Sequence, residues 1–149
     1  MQRLIDIGSI GLEEGAAYLA PDFNCTAPNP DYVLGVLDRV EAQQPDVYAM
    51  ILYVEQPFAT TSEQMRSTSA IGGRKLYMDE SAHDWTFVRA GRRLGWNGVA
   101  LKTCKTMTGA LLSLAWARAT AMGIMVQDLT NPMLAQIAHF QLAAHARTS

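Results

Sequence analysis

The sequence predicts an α/β fold with a parallel sheet, and three observations carry that prediction. Short apolar runs alternate with longer segments of helical spacing. The order runs β, α, β, α, with no hairpin linking one run to the next. The short runs are almost continuously apolar, as strands covered on both faces are.

Taken in order, strand runs are expected at residues 47–54, 75–78, 98–101 and 123–126, with an earlier candidate in AAYLAPDFN. Helices are expected at 30–44, 61–71, 84–94, 106–122 and 132–145. Pro30 and Pro132 suit a first helical turn, where the missing N–H has no partner to lose. Gly95 and Gly123 suit helix stops.

At 149 residues and 49% apolar, the chain fits one domain, 1–149, without linker or low-complexity tract. A formal charge of −2 gives nucleic acid or an anionic membrane no reason to bind. Cys25 and Cys104 are too few for a disulfide framework or a zinc cluster, and both read as small buried residues. No apolar run reaches membrane-spanning length, and residues 1 onward lack the basic-then-apolar order of a signal peptide. A cytoplasmic protein is the expectation.

The spacing of charged residues points to chemistry. Glu55 and Asp79 lie 24 residues apart, and Asp79 and Lys102 lie 23 apart. Each follows a strand run: VYAMILYVEQP, KLYMDES, GVALKTCK. Another unit ends near Gln127, and Asp22 holds the corresponding place in the first candidate strand. In a parallel barrel this end of the strands carries the active site.

Asp22, Glu55 and Asp79 would therefore face one mouth. Three carboxylates so close repel unless one takes a proton or a cation intervenes. Mg²⁺ answers the need, since it takes hard oxygen ligands and keeps positions for water or substrate. Lys102, on the next strand, is placed to act as a general base, with burial and the cation lowering its hold on a proton.

The set DFN at 22–24, VEQP at 54–57, MDES at 78–81 and LKTCK at 101–105 resembles the enolase superfamily, in its mandelate racemase and muconate-lactonizing-enzyme branch. The resemblance implies a partial (β/α)8 TIM-type barrel holding about strands 3 to 7 with their helices. It implies Asp22, Glu55 and Asp79 as Mg²⁺ ligands and Lys102 as the catalytic acid/base. It also implies abstraction of the proton beside a substrate carboxylate, in a lyase, racemase or cycloisomerase. Departures accompany the match. The Lys-x-Lys pair of the family's second strand is missing, as is the capping domain, so the chain looks like a fragment. Met107-Thr108-Gly109 stands where the family has two glycines.

Other readings stay open residue by residue. Asp79 could cap the next helix, a task Ser81 or Asp84 could share. Asp22 could belong to a capping loop with Asn24. Lys102 could be ion-paired with a neighbouring carboxylate, since an unpaired buried charge is costly. Glu80 is read as a supporting hydrogen-bond partner or a solvated group, Lys105 as a fallback base or a solvated residue, and Asp128 as a further site residue or a cap. His83, His139 and His145 lack ligand spacing. Met122, Met125 and Met133 read as core, and Arg89, Arg92 and Arg93 as a solvated face.

Two functions follow. One is Mg²⁺-dependent α-proton abstraction from a small carboxylate substrate, the chain alone being an inactive part of the enzyme. The alternative is a non-catalytic α/β assembly module that keeps the metal ligands. Either way, open sheet edges and an uncovered apolar face predict a homo-oligomer.

Overall fold

The computed structural model describes residues 18–58, 74–127 and 132–146. The expected helix at 61–71 and Asp128 lie outside them. Helices α1 (Pro30–Gln43) and α2 (Pro45–Ala49) precede strand β1 (Val54–Glu55). Then come β2 (Leu76–Met78), α3 (Trp85–Arg93), β3 (Gly98–Leu101), α4 (Met107–Ala119), β4 (Gly123–Val126) and α5 (Met133–His145). The strands form one sheet in the order β1-β2-β3-β4, every pair parallel. Residues 19–22 extend it beyond β1 through the parallel bridges Leu19↔Ile51 and Asp22↔Glu55.

Local chemistry explains the boundaries. Asn29 caps α1 by accepting from Tyr32 N–H at 2.9 Å, and Pro30 opens the helix as expected. Asp84 caps α3 through Thr86 N–H at 2.7 Å and Phe87 N–H at 3.3 Å. Thr106 caps α4 through Gly109 N–H at 2.9 Å. Gly95, with φ of 100°, turns the chain out of α3 in the left-handed region.

Several expectations are corrected. Residues 47–49 are helical, because Pro45 presets the first turn of α2 before the apolar run begins. The strand at that end is consequently only Val54 and Glu55. The first candidate strand is reduced to bridges, with Pro21 interrupting the ladder for want of an N–H. Gly123 opens β4 rather than stopping a helix, and Ala121, with φ of 53°, makes that turn. Met133 is 83% exposed, and Cys104 is exposed too.

Alternation gives the sheet two different faces. Val54, Leu76, Met78, Val99, Leu101 and Ile124 pack with Val33, Leu37, Val88, Leu114, Ala117 and Leu142 of the helices in one core. Tyr53, Tyr77, Gly98 and Met125 alternate with them on the other face. Tyr53 and Tyr77 stack there with centroids 4.1 Å apart, and Tyr53 Oη donates to Met125 Sδ at 2.7 Å. A Cβ on Gly98 would collide with the Tyr77 ring, so the flat stack needs glycine beneath it. Following the same parity, Glu55, Asp79 and Lys102 come next at the carboxyl ends of the strands. Among the described residues no helix is long and apolar enough to cross a membrane.

Candidate metal centre

The strand register brings the predicted residues to one end of the sheet. Asp22 is bridged to Glu55, and Glu55 is in register with Tyr77, two residues before Asp79. Met78 pairs with Val99, which leaves Lys102 just past the end of β3, beside the Asp79 turn. Lys102 Nζ lies 2.7 Å from Asp79 Oδ1. The ion pair raised by the sequence is therefore present, and it joins two of the predicted site residues.

Glu55 is 5% exposed, and its Oε1 is buried without a hydrogen-bond partner. Burial, then the negative charges of Asp79, Asp22 and Glu80, push its carboxyl up to about 7, with Lys102 pulling the other way. Glu80 adds a fourth acid whose Oε2 is likewise buried and unpartnered. The Cys25 thiol hydrogen-bonds Glu80, and burial followed by that carboxylate pushes the thiol up to about 11.

Asp22 is turned toward its own loop. Its Oδ1 accepts from Asn24 N–H at 2.8 Å, and its Oδ2 accepts from Asn24 Nδ2 at 2.7 Å. Among the described residues, no three His, Cys, Asp or Glu side chains are arranged to grip one ion together. The donor chemistry nevertheless fits Mg²⁺: the oxygens are hard, two buried ones are unpartnered, and burial followed by the neighbouring negative charges raises the Glu55 carboxyl. Coordination would require Asp22 to leave Asn24 and Asp79 to share or leave Lys102.

The other candidates separate cleanly. Asp79 does not cap α3, because Asp84 does. The Thr86 hydroxyl, donating to Asp84, is the main cause holding that carboxyl low. Lys105 and His83 are exposed, and His139 is buried in α5 as a packed residue. Arg89 lies 5.8 Å above the Trp116 ring and Arg92 donates to Thr120 O at 3.3 Å, so the arginine face is partly engaged.

One residue was missed by sequence reasoning. Gln56 is fully buried, and its Oε1 accepts from Asp79 N–H at 2.8 Å, Ser81 N–H at 3.1 Å and Ser81 Oγ at 2.7 Å. The only available signal was its place inside VEQP.

The fold and the cluster of acids define a parallel α/β sheet that carries its acidic residues at the carboxyl ends of its strands. No protein-family model matches the chain, and no curated protein does. Solved structures of the mandelate racemase/muconate lactonizing group share its fold. A mandelate racemase/muconate lactonizing protein from Herpetosiphon aurantiacus matches with a TM-score of 0.76 and 24% identity, over 89% of this chain and 37% of that one. The L-Ala-D/L-Glu epimerase from Bacillus subtilis, in a substrate-liganded complex, gives 0.74 and 22%, over 89% and 36%. A dipeptide epimerase from Cytophaga hutchinsonii, complexed with Mg and the dipeptide D-Ala-L-Val, gives 0.73 and 18%, over 88% and 35%. The chain thus spans little more than a third of the length of these proteins.

Proposed function

We propose that the chain is part of a Mg²⁺-dependent enzyme of the enolase superfamily that abstracts the α-proton of a small carboxylate substrate. Asp22, Glu55 and Asp79 are its metal ligands, and Lys102 is its acid/base. The observation that carries this reading is the unpartnered buried oxygen of Glu55 beside the Asp79–Lys102 pair, all at the carboxyl ends of parallel strands. A cation bound there would offset negative charge developing on the substrate carboxylate.

The chain's own groups supply the rest. Asp79 holds Lys102 in place through the 2.7 Å contact. Asp79 would also be one of the residues to hold the cation, and its charge, shared in that way, would hold the Lys102 proton less tightly. The neutral amine then takes the α-proton at Nζ and can return one to the same face. Tyr53 and Tyr77 stack on the same face of the sheet, below the acids.

The second reading, a non-catalytic assembly module, draws on the present side-chain arrangement, in which Asp22 is engaged by Asn24 and Asp79 by Lys102. Exchange of the α-proton of dipeptides and N-acylated amino acids in D₂O with Mg²⁺, followed by proton NMR, separates the two. Exchange by the parent and not by Lys102→Met supports the enzyme; no exchange by either supports the module.

A further inference from the structure

We propose that Gln56 is the positioning residue that sets the spacing of the three carboxylate-bearing strand ends, an inference that rests on the Mg²⁺ reading of those carboxylates. Each polar group of this residue is committed to a different segment of the site. Its backbone N–H donates to Tyr77 O at 3.0 Å, tying it to β2, and its carbonyl accepts from Cys25 N–H at 2.8 Å, tying it to the loop after Asp22. The side-chain oxygen collects Asp79 N–H and both Ser81 donors, and Nε2 donates to Phe58 O at 2.7 Å.

The conformation is held against a local preference. Gln56 has φ of 29°, in the left-handed region, and it precedes a proline. A residue keeps such a backbone where its surroundings over-determine it. Here the effect is to turn the chain directly after Glu55 while the side chain crosses to the turn that begins at Asp79. No solvent competes, since the residue is 0% exposed. One amide thus fixes the Glu55 and Asp79 turns relative to each other, and its carbonyl anchors the Asp22 loop.

A group that merely filled space could be replaced by an apolar side chain of similar volume without effect on the metal. Gln56→Met makes that replacement, and Gln56→Asn keeps the amide but shortens its reach. Val33→Ala, on the buried face of α1, is the control for general destabilisation. Mg²⁺ affinity of each is measured by calorimetry at a temperature where circular dichroism shows all of them folded. Amide hydrogen exchange at Asp79 and Ser81 is followed alongside. The expected result is at least about tenfold weaker Mg²⁺ binding in both Gln56 variants, the scale on which outer partners of metal ligands act. Faster exchange at the two amides should accompany it, with Val33→Ala binding as the parent does. Equal affinity in the parent and the Gln56 variants overturns the positioning role while leaving the metal reading standing. If the parent takes up no Mg²⁺, the metal reading falls and the positioning role falls with it.

Discussion

Lys102 and Asp79 meet at 2.7 Å although they lie on different strands, and neither is fully solvated: the side chains are 21% and 10% exposed. The pair is the contact around which the candidate site is organised. Removing the cation leaves Asp79 among Glu55, Glu80 and Asp22 with no counter-ion. Lys102→Met is therefore expected to destabilise the chain by about 1–3 kcal/mol, the cost of leaving a buried polar group unpaired. Urea unfolding at low salt measures it, and an unchanged midpoint would show the pair to be solvent-screened.

Glu55 gives the site a pH dependence of definite sign. Its folded-state value, about 7, lies above the ordinary 4.5, so the folded chain holds a proton the unfolded chain releases. The stabilisation is complete below pH 4.5 and disappears as pH rises toward about 7. In metal-free buffer, stability should fall across that window by on the order of 1–3 kcal/mol. Glu55→Gln should flatten the slope. A parent whose stability rises throughout that window would contradict this.

Gly98→Ala tests the inner face of the sheet. A methyl there meets the Tyr77 ring, which is itself stacked on Tyr53, so relief requires both rings to move. A loss of about 1–3 kcal/mol is expected in thermal or urea unfolding, as for other overpacked interiors.

The 149-residue chain on its own is expected to self-associate. Met133, Leu134, Ile137 and Phe140 of α5 are 83%, 84%, 53% and 71% exposed, and α5 flanks β4, the last strand in the sheet order. A second copy that covers this face removes the largest apolar exposure among the described residues. Sedimentation velocity should show a dimer or larger species, weakened by Phe140→Glu; a monomer at all concentrations would contradict the assignment.

The strands that read most clearly are those the physics determines locally. β3 and β4 are continuous apolar runs that each open on glycine, and both boundaries were legible. β1 was not, because Pro45 winds the start of the same apolar run into α2 before extension resumes. That Asp79, Glu55 and Lys102 lie at the same end of the sheet was legible because a period of one βα unit is a property of the sequence itself. Their partners were not. That Lys102 pairs with Asp79, that Asp22 turns back to Asn24, and that Gln56 spans to residues 23 and 25 positions away are facts of side-chain direction, which spacing does not encode. The capping of α3 could be narrowed to three residues from sequence, and only geometry singled out Asp84.

The central claim is that the carboxylates at the strand ends form a cation site, and a Mg²⁺ titration followed by thermal unfolding tests it most directly. A ligand that binds only the folded form must raise its stability. The parent should gain several degrees at millimolar Mg²⁺, and Asp79→Asn should not respond. If the parent's unfolding temperature is unmoved by Mg²⁺, or moves equally in Asp79→Asn, the carboxylates do not hold the ion in this chain and the metal assignment is wrong.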